Sequence, residues 1–172
     1  MSLQDKRFVD ENSEKIPEFF RLMTRQFTAE EWMQIKSNTD SPLPTQLANF
    51  FRFWTLKESF VKGHGHGLGW DLQRLNFKVN SSLEKVGEIS DKSELYLDGE
   101  LAKQWRFEET LLDARHCVAT AIKGQGQKGF SRKIPFTFLT CDQILDSLEP
   151  LNLNQSDSEW SEYLSKIEEK PF

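Results

Sequence analysis

A glutamate and two lysines lie in a strongly apolar segment in the middle of the chain. Residues 47–62 have the sequence Leu-Ala-Asn-Phe-Phe-Arg-Phe-Trp-Thr-Leu-Lys-Glu-Ser-Phe-Val-Lys. At about 100° per residue on an α-helix, the apolar residues of this segment form two stripes. One stripe contains Leu47, Phe50, Phe51, Trp54 and Val61, and the other contains Phe53, Leu56 and Phe60. Apolar residues on both sides predict a largely buried helix, from about Thr45 to Lys62.

Glu58 falls near the centre of the first stripe, four residues after Trp54. A lone buried carboxylate is strongly unfavourable, so it needs a cation, a metal ion or a hydrogen-bond network. On an exposed helix, Glu58 and Lys62 would instead form a simple i,i+4 ion pair in the favourable order. The surrounding aromatic residues favour a functional role, because perturbed buried carboxylates are enriched at functional sites. The periodicity thus indicates a candidate metal or acid–base site, without identifying a reaction.

The neighbouring elements follow from signals on both sides of this helix. Apolar residues recur at helical spacing from Ile16 to Phe27. Thr28 and Glu31 have the spacing of a capping box, which predicts a second helix through about Lys36. Alternating apolar residues over 75–122 predict three or four antiparallel strands, with a turn at 98–99.

The sequence therefore predicts an α+β fold, with helices packed on a small antiparallel sheet. Residues 136–140 are expected to form a last strand, and 142–148 a short helix capped by Thr140 or Asp142. We divide the chain into a lead-in segment (1–15), a folded domain (16–148) and a polar tail (149–172).

Composition excludes several classes of function. The net charge of the 172 residues is −5, which argues against a nucleic-acid partner. No stretch approaches the about 20 apolar residues that span a bilayer, and the polar N-terminus lacks the apolar core of a signal peptide. Cys117 and Cys141 lack metal-type spacing and are expected to be buried in a reducing compartment. We expect a cytoplasmic protein without a membrane or nucleic-acid partner.

Three sequence elements resemble those of the 4′-phosphopantetheinyl transferase family. Residues 54–62 resemble its W-x-x-K-E-[AS]-x-x-K signature, and residues 65–68 resemble the G-x-G-L that follows. Residues 27–31 resemble the upstream F-[ST]-x-x-E element. The order and the spacing both fit, and flanking segments over about residues 16–148 resemble the second half of an animal branch of the family.

The resemblance implies a mechanism and a set of roles. Mg²⁺ would bridge the pyrophosphate of coenzyme A and enzyme carboxylates, while a carrier-protein serine attacks the β-phosphate. Glu58 matches a metal ligand and base, and Lys62 matches a lysine that contacts phosphate or assists proton transfer. Lys57 matches the first motif lysine and is assigned to coenzyme binding. Glu31 is interpreted mainly as a helix cap.

Two departures from the family pattern leave alternatives open. Family enzymes of this branch contain two similar halves, and this chain resembles one. Their metal-binding aspartate ends a G-[VI]-D strand; the nearest match is Asp10, but Val9 is not preceded by glycine, and Asn12 occupies the second acidic position. In the first alternative, the chain is a transferase, active alone or after self-association, with Asp10 and Glu58 as metal ligands. Alternatively, it is a truncated, non-catalytic member that binds a carrier protein or another partner.

Overall fold

A computed structural model describes residues 14–37, 41–65, 67–124, 136–146 and 148. The chain divides into two compact units, Met1–Phe136 and Thr137–Phe172. The helices are α1 (Lys15–Leu22), α2 (Ala29–Lys36), α3 (Leu43–His64) and, in the second unit, α4 (Cys141–Leu145). The strands are β1 (Leu75–Lys78), β2 (Glu94–Leu97), β3 (Glu100–Leu101), β4 (Trp105–Leu111) and β5 (Cys117–Lys123). The predicted α+β class is confirmed. Within the described residues, no helix has both the length and the apolar character needed to cross a membrane.

Helix α2 begins where the capping-box spacing placed it. The Thr28 side chain accepts a hydrogen bond from the Glu31 backbone N–H, and the Glu31 carboxylate accepts one from the Thr28 N–H. Two otherwise unpaired donors are thereby satisfied at the helix start. The expected helical run to Phe27 is shorter, because α1 ends at Leu22 and a 3₁₀ turn (Thr24–Gln26) follows.

Helix α3 is two residues longer at each end than predicted. Pro42 precedes it and Pro44 lies in its first turn, where a missing N–H leaves no hydrogen bond unmade. Gly63, expected to end the helix, lies inside it, and Gly65 ends it with a left-handed φ of 83°. A Cβ at Gly63 would lie 3.1 Å from the Trp105 ring, so glycine permits close approach to β4 here.

The strands of the described residues form two antiparallel sheets, β1-β2-β3 and β4-β5. In the first sheet, Leu75 pairs with Leu97 and Phe77 with Leu95. The predicted turn joins β2 and β3 through Asp98 (φ 52°) and Gly99 (φ 86°), as a two-residue hairpin of the I′ type requires.

A phenylalanine-rich core lies between α3, the preceding helices and the two sheets. Its least exposed aromatic residues are Phe27, Phe50, Phe60, Phe77 and Phe107. Two expectations are wrong in the C-terminal part. Residues 136–140 form no strand, although the capping box at Thr140 does start α4. Cys141 is exposed rather than buried, while Cys117 is partly buried.

Candidate functional site

Residues from both apolar stripes of α3 are buried, and Lys57, not Glu58, is the charged residue buried with them. The buried residues of this helix are Leu47, Phe50, Phe53, Leu56, Lys57, Phe60 and Val61. The Lys57 side chain is 1% exposed, whereas the Glu58 side chain is 38% exposed. The prediction that Glu58 is buried is therefore wrong. Consecutive side chains point about 100° apart around a helix, so Lys57 can point into the core while Glu58 points towards solvent.

Lys57 is held by four oxygen atoms in the interior of the first unit. Its Nζ lies 2.7 Å from Glu31 Oε2. It also donates to the carbonyl oxygens of Gln26 (2.9 Å), Leu72 (2.8 Å) and Leu75 (3.0 Å). An ammonium group has three hydrogens, so these partners saturate it. In this arrangement Lys57 has no hydrogen left to donate to coenzyme A, and its assignment as a coenzyme ligand stays a prediction.

Glu31 is as buried as Lys57 and serves three contacts at once. Besides the ion pair, Oε2 accepts from the Thr28 N–H at 2.8 Å, and Oε1 accepts from the Phe77 N–H at 2.9 Å. Burial raises the pKa of Glu31 and lowers that of Lys57, and the attraction between the two charges opposes both shifts. The predicted cap is confirmed, but the carboxylate also joins α2, α3 and β1.

The burial of Lys57 is indicated in the sequence by its spacing from three phenylalanines. Lys57 follows Phe50 by seven positions and Phe53 by four, and it precedes Phe60 by three. These are spacings of one helix face. The identity of its partner has no comparable local signal, because Glu31 belongs to another helix.

Glu58 and Lys62 form the solvent-accessible part of the motif. Their head groups lie 3.8 Å apart at i,i+4 spacing, and the Lys62 side chain is 79% exposed. The simple ion-pair interpretation therefore describes their geometry. Exposed pairs of this kind contribute little to stability, about 0–1 kcal/mol. Both side chains remain accessible to a ligand from solvent.

The metal site expected at Glu58 is only partly represented in the described structure. Glu58 supplies hard oxygen donors, which suit Mg²⁺, and such sites use one or two carboxylates together with substrate phosphates. Asp10, the expected second ligand, lies outside the described residues. Among the described residues, no three His, Cys, Asp or Glu side chains cluster to bind a metal ion. Glu58 fits the ion chemically, but these residues do not complete a protein site.

Two glycines in the segment after Lys62 have positive φ angles. Gly65 ends α3, and Gly67, with a positive φ of 59°, begins a 3₁₀ turn (Gly67–Gly69). The His64 ring packs against Trp70, with centroids 4.6 Å apart.

These features agree with the match between this chain and a protein family. The family model of the 4′-phosphopantetheinyl transferase superfamily matches residues 7–121, which include α1–α3, β1–β4 and most of β5. The chain therefore belongs to the 4′-phosphopantetheinyl transferase superfamily.

Individual relatives of this chain are phosphopantetheinyl transferases. The chain is 47% identical over 108 residues to the L-aminoadipate-semialdehyde dehydrogenase-phosphopantetheinyl transferase of Homo sapiens, covering 63% of this chain and 34% of that protein. The protein of the same name from Xenopus laevis is 40% identical over 168 residues, covering 93% and 54%. A phosphopantetheinyl transferase from Thraustochytrium sp. is 32% identical over 119 residues, covering 68% and 39%. The chain thus spans at most about half the length of these relatives.

Proposed function

We propose that this chain carries out Mg²⁺-dependent transfer of 4′-phosphopantetheine from coenzyme A to a serine of an apo carrier protein. In this reaction the serine oxygen bonds to the β-phosphorus of coenzyme A while the bond to the bridging pyrophosphate oxygen breaks. A base takes the serine proton, and adenosine 3′,5′-bisphosphate leaves. The observation that carries the proposal is the exposed Glu58–Lys62 pair within the family signature, at 3.8 Å on the last turns of α3.

Each exposed residue has a role suited to its chemistry. The Glu58 carboxylate would bind the metal ion and could accept the serine proton, while the Lys62 ammonium would contact the phosphates or assist proton transfer. Bound Mg²⁺ would neutralise charge that develops on the leaving phosphate. Asp10 is proposed as its second protein ligand.

The second candidate is a family member that binds a carrier protein without transferring the arm. It is favoured by the partial coverage of the relatives, since the chain spans 54% of the Xenopus laevis protein. The transferase candidate would act alone or after self-association.

The decisive experiment follows the mass of an apo carrier protein incubated with this chain and coenzyme A, with and without Mg²⁺. If the chain is a transferase, the mass of the carrier protein should rise by one phosphopantetheine arm, and only when Mg²⁺ is present. If the folded chain binds the carrier but leaves its mass unchanged, the binding candidate replaces the transferase. Size-exclusion chromatography of the same sample tests self-association.

A further inference from the structure

We propose that the buried pair Glu31–Lys57 is a positioning device that fixes the helical turn carrying Glu58 and Lys62. This inference rests on the proposed function of that turn, and it assigns Lys57 a role other than contact with the coenzyme. Lys57 and Glu31 are positioning residues here, since neither reaches the exposed surface where Glu58 lies.

The first argument is the convergence of chain segments on one ammonium group. The three carbonyl groups that accept from Lys57 belong to the 3₁₀ turn before α2 (Gln26), to the 3₁₀ turn before β1 (Leu72) and to β1 itself (Leu75). Glu31 adds α2, and its second oxygen reaches the Phe77 N–H of β1. One side chain of α3 therefore fixes this helix against four other segments.

Helices α2 and α3 both supply side chains that occupy the outer edge of β1. Besides Glu31 and Lys57, Gln34 of α2 donates to the Phe77 carbonyl (3.2 Å) and accepts from the Val79 N–H (3.1 Å). Side chains thus replace a neighbouring strand along this edge. The α2–α3–β1 junction is thereby hydrogen-bonded rather than merely packed, which restricts sliding and rotation of α3.

The second argument is that Glu58 has little anchorage of its own. Its ion pair with Lys62 is exposed and spans 3.8 Å, a geometry that holds neither side chain firmly. Lys57 precedes Glu58 directly, so rotation of α3 at Lys57 would carry the carboxylate with it. Catalytic geometry tolerates displacements of well under about 1 Å, so a rigid neighbour is a functional requirement.

The test compares Lys57→Met, Glu31→Gln and Leu47→Ala with the unaltered chain in the transfer assay. Leu47 is 2% exposed and lies on the same helix, ten residues from Lys57, so its truncation loosens the core without touching the ion pair. We expect kcat to fall about tenfold or more in Lys57→Met and about threefold in Glu31→Gln, with KM for coenzyme A within about twofold. Leu47→Ala should retain kcat wherever it is folded.

Hydrogen exchange supplies a readout that does not require transfer. Exchange of the amides at 58–62 should accelerate about tenfold in Lys57→Met, and that at 45–48 should remain unchanged. Glu31→Gln, which retains an oxygen for the Phe77 N–H, provides both measurements if Lys57→Met does not fold. If neither variant folds, the pair is a folding determinant only, and the proposal is overturned.

Three results would overturn the inference separately from the proposed function. A tenfold rise in KM for coenzyme A at constant kcat would make Lys57 a coenzyme ligand. An equal loss of kcat in Leu47→Ala would reduce the effect to general loss of stability. If the unaltered chain transfers nothing, the transferase proposal fails while exchange still decides: unchanged exchange at 58–62 rejects the positioning role, and faster exchange supports it.

Discussion

Lys57 and Glu58 are adjacent in the sequence, but only Lys57 enters the core. The Lys57 side chain is 1% exposed and ion-paired to Glu31, while the Glu58 side chain is 38% exposed and faces solvent with Lys62. The charged motif is therefore divided into an interior part and a surface part. Substitutions in the surface part should change activity alone, whereas substitutions in the interior part should change both stability and activity.

Replacing the surface carboxylate should abolish activity and spare the fold. We expect Glu58→Gln to lose transfer to the carrier protein, because the neutral amide is a poor metal ligand and base. Stability should change by less than about 0.5 kcal/mol, as for other exposed substitutions. The carrier mass shift and urea unfolding measure the two effects.

Glu18→Gln is the matched control for that substitution. Glu18 forms an exposed helical ion pair with Arg21, at 3.7 Å in α1, and its side chain is 67% exposed. This variant should keep the transfer rate of the unaltered chain. Undiminished transfer by Glu58→Gln would contradict the role assigned to the carboxylate.

Replacing the interior lysine should reduce the free energy of unfolding as well as kcat. Lys57→Met leaves the Glu31 charge buried without its cation, and breaking a buried pair in this way costs about 3–5 kcal/mol. Lys62→Met, at an exposed position on the same helix, should change stability by less than about 0.5 kcal/mol. Urea unfolding monitored by circular dichroism compares the two, and equal stabilities would show that the buried pair does not stabilise the fold.

The close approach of α3 to β4 predicts a steric limit at Gly63. Gly63→Val should destabilise the chain by about 1–3 kcal/mol, because the added atoms meet the Trp105 ring. Lys62→Val introduces the same β-branched residue at the exposed neighbouring position and serves as the control. Thermal unfolding of both variants tests this prediction. Equal melting temperatures for Gly63→Val and Lys62→Val would refute it.

The two cysteines should differ in reactivity. Cys141 is exposed, whereas Cys117 is partly buried, lies 4.0 Å from the Thr55 hydroxyl and has its pKa raised by burial. Thiolate is the reactive form, so iodoacetamide should modify Cys141 first. Peptide mass spectrometry at short times identifies the labelled site, and Cys141→Ser should remove the fast phase. Faster labelling at Cys117 would show that its thiol is more accessible to solvent than that of Cys141.

Cys117 should also make stability depend on alkaline pH. Its pKa is raised in the folded chain, so the folded state keeps a proton that the unfolded state loses above about pH 8.5. Deprotonation then favours unfolding, and the free energy of unfolding should fall as pH rises past that value. In Cys117→Ala this contribution should disappear, while Cys141→Ala should retain it. Urea titrations between pH 7 and 10 measure the slope; identical slopes for all three chains would reject the assignment.

Local patterns were sufficient for much of the fold and for the family. Some features depend only on residues that are close together in the sequence, and they can be read from it directly. They are the capping box at Thr28 and Glu31, the turn at Asp98 and Gly99, and the order of helices and strands. The motif at 54–62, which indicates the family, is likewise a pattern of residues close together in the sequence. The strand predicted at 136–140 was wrong because alternation alone supplies no pairing partner.

The sequence by itself thus determined the elements, the family and the candidate pair Glu58 and Lys62. Only the tertiary structure decided which charged residue of α3 is buried. That outcome depends on Glu31 and on carbonyl groups up to 31 positions away, which together compensate the loss of hydration of the Lys57 ammonium. The apolar pattern of a helix that is hydrophobic on two sides does not distinguish such positions, because burial of a charge is decided by the partners that the fold brings to it.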